Sequence, residues 1–309
     1  MNDEGMGADR AALTGRTCFF TLVGSAEEEA NARLLLASLR AFGGTLGDCV
    51  AWVFALDPDR VSALSDMEGV SCLPLDRDPE LRYPFAAKVQ VCAQAEALAA
   101  EEFRSLVWVS TQSLIVNPPV LFDLGPSFDG AFRPVHIQNI GSLASEPLDN
   151  YWSGVYRAVG IDDTLRSVGS FVDSRELRPY FNTHLFAIDP SQGLCQTWLQ
   201  LFRELVADTV FQSGPCQDEL HRIFLHQAVM SALVTKRLEW QRIRLLPPEY
   251  SYPLHLHLEV PPARRSHSLG DLVCPVYEGA YRYPATLNGL PVQEPLKSWL
   301  MARGQGRGM

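Results

Sequence analysis

No run of apolar residues in the 309-residue sequence approaches the roughly 20 that a helix needs to span a bilayer. Mean hydropathy is −0.02, so no membrane span is expected. Positive charge is also scarce. The 26 Lys and Arg stand against 36 Asp and Glu, a formal charge of −10. That balance counts against nucleic acid and anionic lipid as partners, because both are bound through clustered cations. The seven cysteines, at 18, 49, 72, 92, 195, 216 and 274, are odd in number and form no CxxC pair. This disfavours a disulfide framework and a zinc site, and a reduced, cytoplasmic chain is the simplest expectation. Several signatures are missing: GxxxxGK[ST], a GxGxxG turn after the first strand, GxSxG and HExxH. The loop after that strand offers one glycine, Gly24, and then Glu27, Glu28 and Glu29, which argues against a Gly-rich, basic phosphate loop.

What is present is globular. Hydrophobic residues make up 47% and charged ones 20%, enough for a sizeable core. Residues 16–23, 50–56, 70–75 and 106–109 are short apolar runs rich in β-formers and read as buried strands, with 114–116 as a brief extension. Between them lie helical patterns. Ser25 with Glu28 has the spacing of a capping box; Leu34, Leu35, Leu39 and Phe42 follow, and Gly43-Gly44 ends the helix. A second helix is predicted over 84–100. Strands alternating with helices predict an α/β domain with a mainly parallel central sheet flanked by helices, whose ligands sit beyond the carboxyl ends of the strands. In the second half, 130–135 and 181–188 read as strands, and 190–206 and 217–234 as helices. Residues 139–178 read as an irregular lid or insertion carrying Tyr151, Trp152 and Tyr156, which suit carbohydrate stacking or a subunit contact, as in a homo-oligomer. From 247 onward an irregular C-terminal segment is expected. Residues 1–15 read as a disordered lead-in and 301–309 as a flexible tail.

Four segments carry a resemblance to a known family. They are the strand at 18–23 with the helix LLLASLRAFGG; YPFAAKVQVCAQAEAL at 83–98; LVWVSTQSLIVNPP at 106–119; and YFNTHLFAIDP at 180–190. In this order and spacing the chain resembles the nucleotide-diphospho-sugar transferases of the GT-A fold, particularly the glycogenin and galactosyltransferase-like branch. The resemblance implies one GT-A-like domain over 16–300, with a nucleotide-binding half at 16–120 and an acceptor half with the C-terminal segment at 121–300. It also implies Mn²⁺ or Mg²⁺ bound by a D-x-D motif, but Ser110, Thr111 and Gln112 occupy that motif's place. Neutral oxygens are weak ligands for a hydrated divalent cation, so no metal ligand is assigned. Two readings stay open: transfer without a metal, the diphosphate charge being carried by Lys, Arg or His, or a site that has lost its activity.

On the resemblance, Val23, Gly24, Ser25 and Asp57 face the nucleotide, while Lys88, Ser110 and Gln112 face the diphosphate. Asn182, His184 and Gln227 face the sugar or acceptor. His267, with Arg264 and Arg265, offers phosphate contacts, since SHSLG resembles the start of a late family element whose Lys-Pro-Trp half is missing. Several of these, and the further candidate carboxylate Asp218, have a plainer alternative. Asp57-Pro58-Asp59 reads as a turn with a helix cap, Lys88 as an exposed helix charge, His184 as a buried, hydrogen-bonded histidine, Asp218 as a cap, and Arg264 and Arg265 as solvated loop charges. His255 and His257 would share one face of a strand, but a third ligand is not evident. The expected activity is transfer of a sugar from a nucleotide-diphosphate sugar to an unknown acceptor. The alternative is a non-catalytic nucleotide- or carbohydrate-binding protein on the same fold.

Overall fold

The computed structural model describes residues 16–277 and 290–304; the expected lead-in at 1–15 and residues 305–309 lie outside them. The strands are β1 (Thr17–Val23), β2 (Val50–Ala55), β3 (Val70–Pro74), β4 (Ser105–Val109), β5 (Gly130–Pro134), β6 (Val168–Gly169), β7 (Glu176–Leu177), β8 (Phe181–Ile188), β9 (Ile243–Leu245), β10 (Tyr250–Pro253) and β11 (Cys274–Val276). The helices are α1 (Ala26–Phe42), α2 (Ala86–Ala99), α3 (Asn150–Val159), α4 (Leu194–Ala207), α5 (Thr209–Ser213), α6 (Glu219–Arg237) and α7 (Leu296–Gly304). Seven strands form the central sheet in the order β3-β2-β1-β4-β8-β5-β9. All pair in parallel except β8, which runs antiparallel between β4 and β5. This is the expected α/β class: a mainly parallel sheet flanked by helices, with an irregular C-terminal segment.

Strand alternation divides the core between the two faces of the sheet. Phe20, Trp52, Phe54, Trp108, Phe132 and Phe186 point to one side, where α2, α3, α4 and α6 supply Val89, Trp152, Trp198 and Val229. Phe19, Val53, Val107, Ala131 and Leu185 point to the other, covered by Leu35, Leu36 and Leu39 of α1. A third cluster holds the C-terminal segment: Leu114 and Val116 pack with Tyr252, Leu269 and Tyr277. Each buried large side chain contributes about 1.5–3 kcal/mol, so the sheet is fixed from both faces.

Local details depart from the sequence reading in instructive ways. Ser25 caps α1 as expected, accepting from the Glu28 N–H at 3.2 Å, but the Glu28 carboxylate reaches back to the Gly24 N–H at 2.7 Å, one residue beyond the usual box. Residues 139–178 are not irregular throughout, because Asp149 caps α3 and Gly160 ends it at φ 79°. Tyr151, Trp152 and Tyr156 are buried within α3, and the Trp152 indole donates to the Ile140 carbonyl at 2.6 Å. They are core residues, closed to carbohydrate and to a partner subunit. Residues 114–116 extend no strand of the main sheet; their Leu114 and Val116 N–H groups donate to the Pro275 and Val273 carbonyls. The helix expected at 190–206 is broken at Gly193, whose φ of 61° separates a 3-10 turn from α4. Residues 301–304, expected in the tail, complete α7. All seven cysteines are free and six of them buried, behaving as small hydrophobes. Among the described residues no helix is long and apolar enough to cross a membrane.

An ionic cluster ties the far edge of the sheet. Arg242 binds Asp129 through two bonds of 2.6 Å, and Arg104 reaches Asp189 at 2.6 Å and Asp129 at 3.6 Å. The bonds from Arg242 hold the Asp129 carboxyl below the usual range. Its contribution is present above the unfolded carboxyl value and disappears as pH falls through the depressed folded value. Asp129→Asn should therefore lower unfolding free energy by roughly 2 kcal/mol at pH 7, and the difference from wild type should shrink as pH is lowered below 4. Urea titrations of both proteins across that range check this.

Candidate functional site

The antiparallel course of β8 brings its first residues beside the carboxyl ends of β1 and β4. A cavity of about 480 Å³ opens there, lined among others by Glu28, Phe85, Lys88, Trp108, Ser110 and Gln112 from the first half and by Thr183, His184, His226 and Gln227 from the second.

Thr183 is the hub of this wall. Its carbonyl accepts from the Trp108 indole at 3.0 Å and from Lys88 Nζ at 3.3 Å. Its hydroxyl lies 3.0 Å from His226 Nε2, 3.4 Å from Gln227 Oε1 and 3.4 Å from Lys88 Nζ. The Ile223 carbonyl, 2.9 Å from His226 Nδ1, can only accept, so that nitrogen carries the proton and Nε2 accepts from Thr183. Burial, then the Lys88 charge, drives the His226 pKa well below its ordinary value, so the ring is neutral.

Lys88 points along this wall. It is half-buried, and desolvation pulls its ammonium down to about 8. No carboxylate pairs with it among the described residues; its contacts are the two Thr183 oxygens and the Phe85 ring, whose centroid lies 4.6 Å from Nζ. Phe85 is 46% exposed and holds a left-handed φ of 60° at the start of α2, an unfavourable conformation for a bulky residue. It stacks on His226 at 4.4 Å.

A second line of polar groups runs through β8. The Asn182 carbonyl oxygen accepts from both the His184 N–H and His184 Nδ1 at 2.7 Å. The Asn182 amide therefore donates to His136 Nε2 at 3.0 Å. Burial first, then His184 and Arg133, lower the His136 pKa well below the ordinary range, so its remaining proton sits on Nδ1, a buried atom without a hydrogen-bond partner among the described residues. Across the cavity the turn after β4 is fixed by Tyr277. The Tyr277 hydroxyl donates to the Thr111 carbonyl and its N–H to that of Gln112, each at 3.0 Å.

Of the residues expected at the site, the structure brings Lys88, Ser110, Gln112, His184 and Gln227 to this cavity, with buried Asn182 one bond behind. Lys88 is not an exposed helix charge. Val23, Gly24 and Ser25 do not line it. Val23 is buried with its carbonyl accepting from Leu56, while Gly24 and Ser25 are committed to Glu28. Asp57 is an exposed turn residue whose carboxylate accepts from the Asp59 N–H. Asp218 caps α6. His255 and His257 lie on a 3-10 turn instead of a strand, and His257 is buried against the Tyr252 hydroxyl at 2.9 Å, so they do not form a metal pair. Arg264, Arg265 and His267 line a separate cavity. Thr183, His226 and Phe85 had no assigned role; FNTH and the His226-Gln227 pair were the visible signals.

A divalent cation does not fit the described residues. Glu28 is the carboxylate that reaches the cavity wall, and it is bound to Gly24 N and 3.3 Å from the Ser25 hydroxyl. Ser110 and Gln112 contribute only neutral oxygens, and the described residues contain no group of three His, Cys, Asp or Glu able to hold a metal.

Comparison with protein families matches residues 19–238 to the Rhodobacterales glycosyltransferase domain. The match covers more than half of the chain, which therefore belongs to that family. No curated protein matches it.

The Lys88 environment makes a stability prediction. Its folded pKa lies below that of an unfolded lysine, near 10.4, so the charge costs stability at pH 7 and the cost fades as pH rises from about 8. Lys88→Met should be more stable than wild type at pH 7, and the gap should close between pH 8 and 10. Chemical denaturation at three pH values reads the difference directly.

Proposed function

From membership of that family we propose that the chain transfers a sugar from a nucleotide-diphosphate donor in the Lys88 cavity, without a metal. The observation that carries this reading is Lys88: an unpaired, partly desolvated ammonium at a strand-end cavity, held over Thr183 and facing the Ser110–Gln112 turn. In such a transfer the bond between the anomeric carbon and the diphosphate oxygen breaks, and the electron pair leaves with the nucleoside diphosphate. The acceptor hydroxyl oxygen forms the new bond and loses its proton. Charge grows on the departing diphosphate, and a positioned cation in a poorly hydrated cavity stabilises it most where it grows. Lys88 supplies that cation. The Ser110 and Gln112 side chains add neutral hydrogen bonds, and exposed Phe85 gives a flat face for the sugar or base. The proton of the acceptor hydroxyl leaves with the departing diphosphate, and His184, its Nδ1 donating to the Asn182 carbonyl oxygen, lines the wall beside it.

The test is calorimetric titration with UDP and GDP, with and without Mn²⁺. One of these should bind in EDTA, with affinity falling as pH rises through about 8, the value to which burial brings Lys88. Lys88→Met should weaken binding at least tenfold, about 1.4 kcal/mol. Binding that appears only with Mn²⁺, or that survives Lys88→Met unchanged, overturns the metal-free reading.

A further inference from the structure

A cavity of about 640 Å³ lies apart from the Lys88 cavity, sharing no lining residue with it. Arg133, Glu249, Arg264, Arg265, Asp271 and His267 are among its lining residues, with Tyr252. Arg133 comes from β5, where the pairing with β8 slips between Phe132 and Pro134; such irregularities re-aim a side chain. Its side chain is 4% exposed, yet it makes no hydrogen bond and no ion pair with any described residue, and its Nε is a buried donor without a partner. The guanidinium lies 5.3 Å from the Phe171 ring centroid, and that of Arg264 lies 5.7 Å from the same ring.

A buried cation without a carboxylate is costly. Desolvation lowers even this guanidinium to about 10, with Glu249 opposing the shift from a distance. Arg265 donates to the Val260 and Leu258 carbonyls, Arg264 to Ser174, and Asp271 accepts from the Ser268 N–H, while Glu249 adds one opposing negative charge to the lining. Among the described residues nothing takes up the donor fork of Arg133, and a planar fork matches a phosphate or carboxylate.

We propose that this cavity binds the anionic group, phosphate or carboxylate, of an acidic acceptor, with Arg133 as its principal contact and Arg264 at its rim. The acceptor assignment rests on the transferase reading above. It follows from placement: Arg133 lies at the carboxyl end of β5, next in the sheet to the β8 end that carries Thr183 and His184. His136, bonded to Asn182 by its ring and to Val172 N–H by its carbonyl, stands between the two cavities. A donor in one and an acidic acceptor in the other would meet at His184.

The experiment is calorimetric titration of the full chain with glucose 6-phosphate, glucuronate and neutral glucose, each alone and with saturating UDP or GDP. One of the two anionic sugars should bind and glucose should not; which one binds distinguishes phosphate from carboxylate. Arg133→Met should lose at least tenfold in affinity. Should that variant fail to fold, Arg264→Gln, on the exposed rim, should still lose severalfold. Binding should persist in Lys88→Met and alongside the nucleotide. Loss of anion binding in Lys88→Met, or displacement by the nucleotide, would merge the two cavities into one donor site and overturn the proposal, as would equal binding of glucose or no binding of either anion. Anion binding that depends on Arg133 while UDP and GDP fail to bind would leave the anion site standing and remove the donor reading instead.

Discussion

Everything at the candidate site depends on one strand running the wrong way. β8 enters the sheet antiparallel between β4 and β5, so its first residues, not its last, lie at the edge where the parallel strands end. Asn182, Thr183 and His184 consequently meet the turn that follows β4, and the Ser110 N–H donates to the His184 carbonyl at 2.8 Å. A parallel strand would carry the same residues to the opposite edge. Because β8 sends Phe186 into the core on one face and Leu185 into the core on the other, its register is fixed, and a slip of one residue would exchange the two faces.

The side chains around Thr183 are arranged to make one ammonium available. Trp108 and Lys88 share the Thr183 carbonyl, while His226 takes its hydroxyl hydrogen. Neutral partners keep the lysine in place without cancelling its charge, as a carboxylate would. Phe85 completes the arrangement in an unfavourable backbone conformation, stacked on His226 and beside the lysine. A strained, exposed aromatic at a cavity wall is easier to understand as a contact for a ligand than as a device for folding.

Much of the fold was legible because its strands are short apolar runs separated by helix signals, and β8 matches its expected bounds residue for residue. The α3 helix was hidden by the Gly, Ser and Pro residues around it, although Tyr151, Trp152, Val155 and Tyr156 have helical spacing. Their burial belongs to tertiary packing that periodicity does not reveal. Lys88, Ser110, Gln112, His184 and Gln227, singled out because they sit in segments whose order is distinctive, line one cavity. Asp57 does not line that cavity and sits in the turn that Asp-Pro-Asp also predicts. Arg264, Arg265 and His267 fell near one another in sequence and in space, but which cavity they line depends on how the C-terminal segment crosses the sheet edge. Arg133 gave no sequence signal, since one arginine in a short apolar strand reads as an edge residue.

The acidity of the chain gives these buried cations their meaning. A net charge of −10 creates a field that repels anions, but salt screens it beyond about 8–10 Å. An acidic surface therefore cannot gather an anionic ligand by long-range attraction; capture must come from cations met at contact, in places where water is sparse and their charge is not already spent. Lys88 and Arg133 have the two properties this requires: each is at least partly buried, and neither has a carboxylate partner among the described residues. Surface arginines paired with carboxylates, as Arg242 is with Asp129, hold the fold and leave little field outside. On the proposed reading, the division between paired and unpaired cations separates residues that stabilise the fold from those that receive an anion. Lys88 on α2 and Arg133 near the end of β5 each line a cavity of their own.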